Sequence, residues 1–234
     1  MDNKDYINLV NFWNSNFKLE EKDKKEIIKQ INPDYFMNFS PSKKQFDCLM
    51  GFKNYNHVLD YGCGSGWASI IIAKSGAKKV NAVDVSSNSI EMTNFYKMCY
   101  QVEDQIDAFF IDEKWLSEQK EGGYDALFSS NVIDVVPLEM AKNIVKECYK
   151  VVNKNARVVF SLNYYIDPKI MLERGCKVDG PHIYIDGILR LTSLKDEERL
   201  EIFKPYFALE SLSYYAWQSE KKEMRRLFTL KPLK

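Results

Sequence analysis

The sequence predicts an α/β fold, a three-layer sandwich around a mostly parallel seven-stranded sheet that ends in an antiparallel hairpin. Three observations carry this. From residue 56 onward, short apolar runs alternate with helix-period segments, the signature of repeated βα units and of parallel strands. The last two apolar runs lie only about eight residues apart, too few for the crossover helix a parallel pair requires, so they should pair antiparallel. At 234 residues, 45% of them hydrophobic and 28% charged, the chain is long enough for one sizeable core and too short for two ordinary domains.

Taken in order, Tyr6, Leu9, Val10, Trp13 and Phe17 recur at helical spacing and predict an amphipathic first helix. A charged helix over 20–31 is stopped by Pro33. Ser40 and Pro41 read as the N-cap and first residue of a third helix carrying Phe46, Leu49 and Met50. Strands are predicted at 57–61, 79–84, 106–111, 124–129 and 157–162. The helices between them include 67–75, closed by Gly76, and 88–100, with Met92, Phe95, Tyr96 and Cys99 on one face. The clearest begins at Pro137 and carries a stripe of Leu138, Ala141, Val145, Cys148 and Val152. Ser193 is the expected N-cap of a helix that ends before Pro205, and strands at 207–215 and 224–230 complete the sheet. No repeat or Gly/Ser linker interrupts the chain. It divides into an N-terminal helical addition (1–55) and a sheet domain (56–234) with an insertion at 163–192. Within that insertion, Asp186-Gly187 between apolar runs predicts a β-hairpin.

Charge narrows the function classes. Lys+Arg and Asp+Glu number 33 each, so no global field draws the protein to phosphate backbones or anionic lipid, and nucleic acid is a disfavoured partner. The first ten residues lack the basic-then-apolar pattern of a signal peptide and no run approaches a membrane span, which places the protein in the cytoplasm with no membrane partner. Oligomeric state leaves no mark on the sequence. Cys48, Cys63, Cys99, Cys148 and Cys176 are scattered without a C-x-x-C pair and read as buried free thiols, so no metal site is expected. The charge runs at 2–5 and 20–29 read as solvated helix faces.

The strongest local signal is Val58-Leu59-Asp60-Tyr61-Gly62-Cys63-Gly64-Ser65-Gly66-Trp67, an apolar strand entering a glycine-rich turn that opens a helix. Glycines let the backbone turn sharply and approach a ligand closely, with helix N–H groups aimed at it. Alone, the turn also admits the less favoured reading of a tight βα connection with no ligand. Its pattern is G-x-G-x-G; a dinucleotide fingerprint would place its third glycine where this chain has Trp67. The next strand ends in Asp84, 18 positions after Gly66, where a carboxylate can accept hydrogen bonds from both hydroxyls of a ribose.

These residues carry a resemblance. Leu59 to Trp67 resembles the first motif of class I S-adenosylmethionine-dependent methyltransferases, and Val83-Asp84-Val85-Ser86 resembles the second. The resemblance implies S-adenosylmethionine as cofactor and S-adenosylhomocysteine as product. By it, Asp60 faces the amino group of the methionine part, while Gly62, Cys63, Gly64 and Gly66 form the backbone approach. Asp84, with Val85 beside it, holds the ribose, and Ile111 and Asp112 meet adenine; Asp112 is alternatively a plain helix N-cap. Asn131, after the fourth strand, is expected near the methionine end and the acceptor. The stretch 129–134 lacks both the N/D-P-P-Y/F pattern of adenine amino methylation and the Pro-Cys nucleophile of cytosine C5 enzymes. The expected activity is methyl transfer to O, N or S of a small-molecule acceptor. The alternatives are a protein or RNA methyltransferase, or a protein that binds the cofactor or its product without turnover.

Methyl transfer needs alignment and exclusion of water more than a protein nucleophile. A general base helps a hydroxyl or ammonium acceptor, and the candidates are His182 and Asp134; His57, at the start of its strand, reads as structural. Trp13, Tyr35, Phe36 and Phe39 either roof a pocket or pack the added helices. Along the inserted hairpin, His182, Tyr184 and Arg190 alternate with apolar residues, so it is either a lid presenting His182 and Tyr184 to an acceptor or a cover for a sheet edge.

Overall fold

The computed structural model describes the backbone of residues 3–234 and the side chains from Tyr6 on; the side chains of the 2–5 charge run lie outside the described residues. Seven strands, β1 (His57–Tyr61), β2 (Lys79–Asp84), β3 (Ile106–Phe110), β4 (Tyr124–Ser130), β5 (Val152–Leu162), β9 (Phe207–Tyr215) and β10 (Arg225–Pro232), form one sheet. Their order is β3-β2-β1-β4-β5-β10-β9. The first five run parallel, and β10 is antiparallel to both β5 and β9. Alternate residues of each strand feed opposite faces, as a pleated strand buried on both sides must. Leu59, Val158 and Phe228 enter one core cluster, and Val58, Val159 and Leu227 the other.

Helices cover both faces. α7 (Leu138–Val151) buries Ala141, Val145 and Cys148 in the first cluster, whereas α4 (Trp67–Ser75) buries Ile70, Ile71 and Ile72 in the second. Before the sheet come α1 (Asn3–Asn16), α2 (Glu21–Gln30) and α3 (Lys43–Met50), with a 3-10 turn at Met37–Phe39. Between the parallel strands lie α5 (Ser87–Cys99) and a short α6 (Trp115–Glu118); α9 (Asp196–Phe203) precedes β9. The second charge run belongs to α2, which has no buried residue.

Several boundaries differ from the sequence reading. The N-cap of α3 is Ser42, whose hydroxyl accepts the Gln45 N–H at 3.1 Å, while Ser40 donates to the Ser42 carbonyl and Pro41 gives its carbonyl to Gln218 N–H. Ser193 does not cap α9: its hydroxyl exchanges hydrogen bonds with the Ile166 backbone, and the helix starts after Lys195, whose N–H donates to Glu198 at 2.7 Å. β5 starts at Val152 because α7 runs directly into it. The Asn153 side chain then accepts from Asn155 N–H, and pairing with β4 jumps from Val152 to Arg157 across this irregularity.

The insertion carries α8 (Pro168–Glu173) and a separate antiparallel sheet of β6 (Lys177–Asp179), β7 (His182–Ile185) and β8 (Ile188–Thr192). The expected β7–β8 hairpin is present, with Asp186 and Gly187 both at positive φ (52° and 75°), the twist-compatible turn that Asp-Gly favours. Buried charges join it to the core. Arg199 donates to the carbonyls of Ile133 and Thr192, and Arg226 to those of Asn163 and Leu194 and to Asp196. Asp134 accepts the Asn163 N–H at 2.7 Å, and its own carbonyl accepts from Thr192 N–H. Among the described residues no helix is long and apolar enough to cross a membrane.

Candidate functional site

The C-terminal ends of β1, β2 and β4 open onto a cavity of about 510 Å³. Its floor is the turn from Tyr61 to Trp67. Gly62 sits at φ 75°, and a Cβ there would collide with the Val132 side chain, so both conformation and space demand glycine. At Gly64 (φ 54°) a Cβ would lie 3.1 Å from the Phe17 ring. Asp84 closes the turn: one carboxylate oxygen accepts the Gly64 N–H at 2.9 Å and the other the Ser86 N–H at 2.8 Å. Burial raises its pKa against these favourable hydrogen bonds. Asp60 is sealed more completely. Among the described residues its one side-chain donor is the Ser69 hydroxyl at 2.5 Å, and burial pushes its carboxyl up to about 7.

α1 supplies the roof, with Tyr6, Leu9, Val10 and Trp13 lining the cavity and Phe17 just beyond the helix end. The helix is held by Asn14, whose side-chain oxygen accepts from the Ser86 hydroxyl (2.9 Å), the Ser87 hydroxyl (3.3 Å) and the Asn88 N–H (3.1 Å). Its carbonyl also accepts from the Asn88 side chain at 2.9 Å. On the other flank, Arg190 of β8 stacks over Phe12 at 4.0 Å. Val135, Val136 and, from α7, Met140, Asn143 and Ile144 form one wall. Trp217, from the β9–β10 loop, lines it too, stacked under the Arg225 guanidinium at 3.2 Å, which Glu220 holds with two oxygens.

Of the residues singled out in the sequence, Asp60, Gly62, Cys63, Gly64, Asp84, Val85, Ile111, Asn131 and Trp13 come together around this cavity. Asn131 takes a left-handed conformation (φ 54°) that asparagine tolerates, its N–H donating to Ser161. Others stand apart. A Cβ on Gly66 would meet Thr93 of α5 at 2.8 Å, which makes it a helix-packing position. Asp112 is exposed and accepts from Lys114 and Trp115 N–H, two positions ahead of Lys114, the N-cap of α6. Tyr35 is exposed, Phe36 packs on Phe46, and Phe39 packs on Tyr96 and Tyr100.

The expected bases are also engaged elsewhere. His182 accepts the Leu138 N–H at 3.0 Å, satisfying the start of α7. Asp134 is fully buried in the charge network and does not line the cavity. His57 contacts the Gly123 carbonyl through Nδ1 at the opposite end of β1, and Tyr184 lies under the Lys177 ammonium. The sequence reading did not single out Glu113, Met140, Asn143, Ile144 or Trp217. Glu113 follows the Ile111-Asp112 pair by one residue, and the α7 residues lie between the positions of its core stripe; Trp217 gave no signal beyond being an aromatic residue in a loop.

Comparison with known proteins fits this arrangement. Residues 58–155 match the methyltransferase domain family. The chain is 30% identical over 121 residues to a ribosomal protein L11 methyltransferase of Lachnoclostridium phytofermentans, covering 50% of this chain and 35% of that protein. It is 31% identical over 115 residues to a ubiquinone biosynthesis O-methyltransferase of Idiomarina loihiensis, covering 49% and 44%. The chain thus spans less than half the length of either relative. Among solved structures, the magnesium protoporphyrin IX methyltransferase of Synechocystis PCC 6803 with bound SAH superposes with a TM-score of 0.65 at 17% identity, over 97% of this chain and 99% of that one. At that identity the likeness is one of fold. The chain thus carries a match to the methyltransferase domain over residues 58–155 on a sheet with the strand order of the class I S-adenosylmethionine-dependent methyltransferases, the family it resembles.

Proposed function

We propose that the protein transfers the methyl group of S-adenosylmethionine to an O, N or S atom of a small-molecule acceptor. The observation that carries this reading is the cavity's roof: α1 lies across a space of about 510 Å³, a size suited to small ligands rather than a macromolecular surface. The residues fit the cofactor chemically. Asp60 pairs with its ammonium, the Gly62–Gly64 backbone approaches its methionine part, Asp84 takes the ribose hydroxyls, and Val85 and Ile111 flank adenine. When bound, S-adenosylmethionine supplies a methyl group on a sulfonium, open to in-line displacement. The chain's own contribution is alignment and a water-poor surrounding built from Trp13, Val135, Val136, Ile144 and Trp217.

A protein acceptor is the second reading, favoured by the relative named for ribosomal protein L11. It requires α1 to leave the roof. Among the described residues no lysine or arginine lines the cavity, which speaks against RNA. Incubation with S-adenosylmethionine and an acceptor library, followed by detection of S-adenosylhomocysteine, tests the proposal. Turnover confined to small molecules supports it, turnover only with a protein substrate replaces it with the second reading, and binding without turnover on any acceptor leaves a non-catalytic binder.

A further inference from the structure

Three side chains that line the cavity carry a buried polar atom with no hydrogen-bond partner among the described residues: the indole nitrogens of Trp13 and Trp217 and the amide oxygen of Asn131. Buried polar groups in folded proteins are nearly always paired, and those left over at a cavity point to what the cavity holds. Unpaired atoms also occur in the Asp134, Arg199 and Arg226 network, but none of those side chains lines the cavity. The three differ in place. The Trp13 ring stacks with Phe17 at 6.5 Å between centroids, and Phe17 is the ring that approaches Gly64. Asn131 immediately precedes Val132, whose side chain occupies the space beside Gly62. Both therefore stand next to the glycine turn, the proposed seat of the cofactor's methionine part.

Trp217 comes from the opposite half of the sheet. Its loop joins β9 to β10, beyond β5, whereas the residues proposed for the cofactor follow β1, β2 and β3. The indole is also clamped. Arg225 stacks over it at 3.2 Å, Glu220 accepts the Trp217 backbone N–H at 3.0 Å while holding Arg225, and Gln218 donates its N–H to the Pro41 carbonyl. An indole nitrogen is a donor only. Resting on the methyl transfer proposed above, we infer that Trp217 selects the methyl acceptor through this N–H. The acceptor is a planar molecule with a carbonyl oxygen or ring nitrogen on the edge that meets Trp217, away from the atom that is methylated. Planarity follows from the aromatic side chains of the lining, Trp13, Phe17, Trp67, Phe128 and Trp217, which offer ring faces and edges. A molecule with a bare hydrocarbon edge at Trp217 would leave a buried donor unpaired, the costly side of hydrogen-bond exchange.

The test uses the full chain, nitrogen-15-labelled and saturated with S-adenosylhomocysteine, and two matched pairs of probes. Quinolin-6-ol and 2-naphthol differ by one ring nitrogen, and 4-hydroxyacetophenone and 4-ethylphenol by one carbonyl. The Trp217 indole N–H signal is assigned by its loss in Trp217→Phe, which keeps an aromatic ring and removes the donor. S-adenosylhomocysteine alone should leave that signal nearly in place, and each acceptor-bearing probe should move it downfield. Quinolin-6-ol and 4-hydroxyacetophenone should bind about tenfold or more tighter than their carbon counterparts, the penalty for an unpaired buried donor, and Trp217→Phe should erase the preference. Equal binding within both pairs would overturn the inference, as would a preference that survives in Trp217→Phe or binding of none of the probes. A Trp217 signal moved as far by S-adenosylhomocysteine alone would also overturn it, by giving the N–H to the cofactor. Failure of S-adenosylhomocysteine itself to bind, read by calorimetry, would instead remove the methyl-transfer reading, and this inference with it.

Discussion

With Asp60 paired to the cofactor ammonium as proposed, cofactor binding should depend on pH. With 1% exposure and one side-chain donor, Ser69, its carboxyl is pushed from 3.8 up to about 7, which corresponds to about 4 kcal/mol against the ionised form. The empty protein therefore holds a proton on Asp60 across a range where the unfolded chain has released it. The sign follows: the folded state binds more protons, so this group's contribution to stability falls as pH rises from about 4 to about 7. A cofactor ammonium beside Asp60 reverses the preference and requires the ionised carboxylate. Below pH 7 each bound S-adenosylhomocysteine should then displace one proton, and affinity should climb about tenfold per pH unit, roughly a hundredfold between pH 5 and 8. Calorimetry in two buffers of different ionisation enthalpy reads both the affinity and the released proton. Asp60→Asn should flatten the profile and bind weakly throughout. Because Asp84 is also shifted upward, the difference between wild type and variant is the informative quantity. A wild-type profile that is flat from pH 5 to 8, or one that Asp60→Asn leaves unaltered, would refute the pairing of Asp60 with the ammonium.

Asp84→Ala should weaken S-adenosylhomocysteine binding by about 1.5–3 kcal/mol, the usual loss for charge-assisted hydrogen bonds, and unchanged affinity by calorimetry would remove it from the ribose site. Gly62→Ala places a Cβ against Val132 at φ 75° and should lower stability by about 1–3 kcal/mol in thermal unfolding; a normal melting temperature would mean that the turn after β4 gives way freely. Asn14→Ala strips the acceptor from three donors at the start of α5 and should speed hydrogen exchange over residues 3–16, with S-adenosylhomocysteine leaving several-fold faster. Exchange as slow as in wild type would show that Phe17 and Arg190 hold α1 unaided. His182→Ala should cost about 1 kcal/mol of stability through the exposed start of α7 while leaving cofactor affinity intact; a loss of affinity without a loss of stability would return His182 to the site.

Local pattern made the sheet legible. The runs 57–61, 79–84 and 207–215 coincide with β1, β2 and β9 because each is bounded by turn or polar residues and tells its own length. The glycine turn and Asp84 were readable for the same reason: positive φ and a strand-end carboxylate are demands met within a few residues. What stayed hidden depends on distant partners. The stripe of Tyr6, Leu9, Val10 and Trp13 announces a buried face, but nothing in it says that the face covers a cavity. His182 looked chemical, yet its partner is a backbone N–H 44 positions away. β6, three residues with two of them charged, has no alternation to read and pairs only because β7 is beside it. Trp217 reaches the cavity from a loop whose course is set by Glu220, Arg225 and a hydrogen bond to Pro41.

The buried charges behind the insertion bear on how this protein can change. Loop-borne modules on a sheet of this kind are ordinarily exchangeable, since a new one need only fit its two attachment points. Here the attachment is polar and internal. The carbonyl of Thr192 receives Arg199, the N–H of Thr192 reaches the Asp134 carbonyl, and Arg226 occupies the carbonyls of Asn163 and Leu194 at the two borders of the segment. Excision would leave two fully buried guanidinium groups short of acceptors, a cost that an apolar joint would not carry. Substitutions on the cavity-facing side chains of α1 and of the β9–β10 loop should disturb the sheet less, since neither of these two guanidinium groups depends on them.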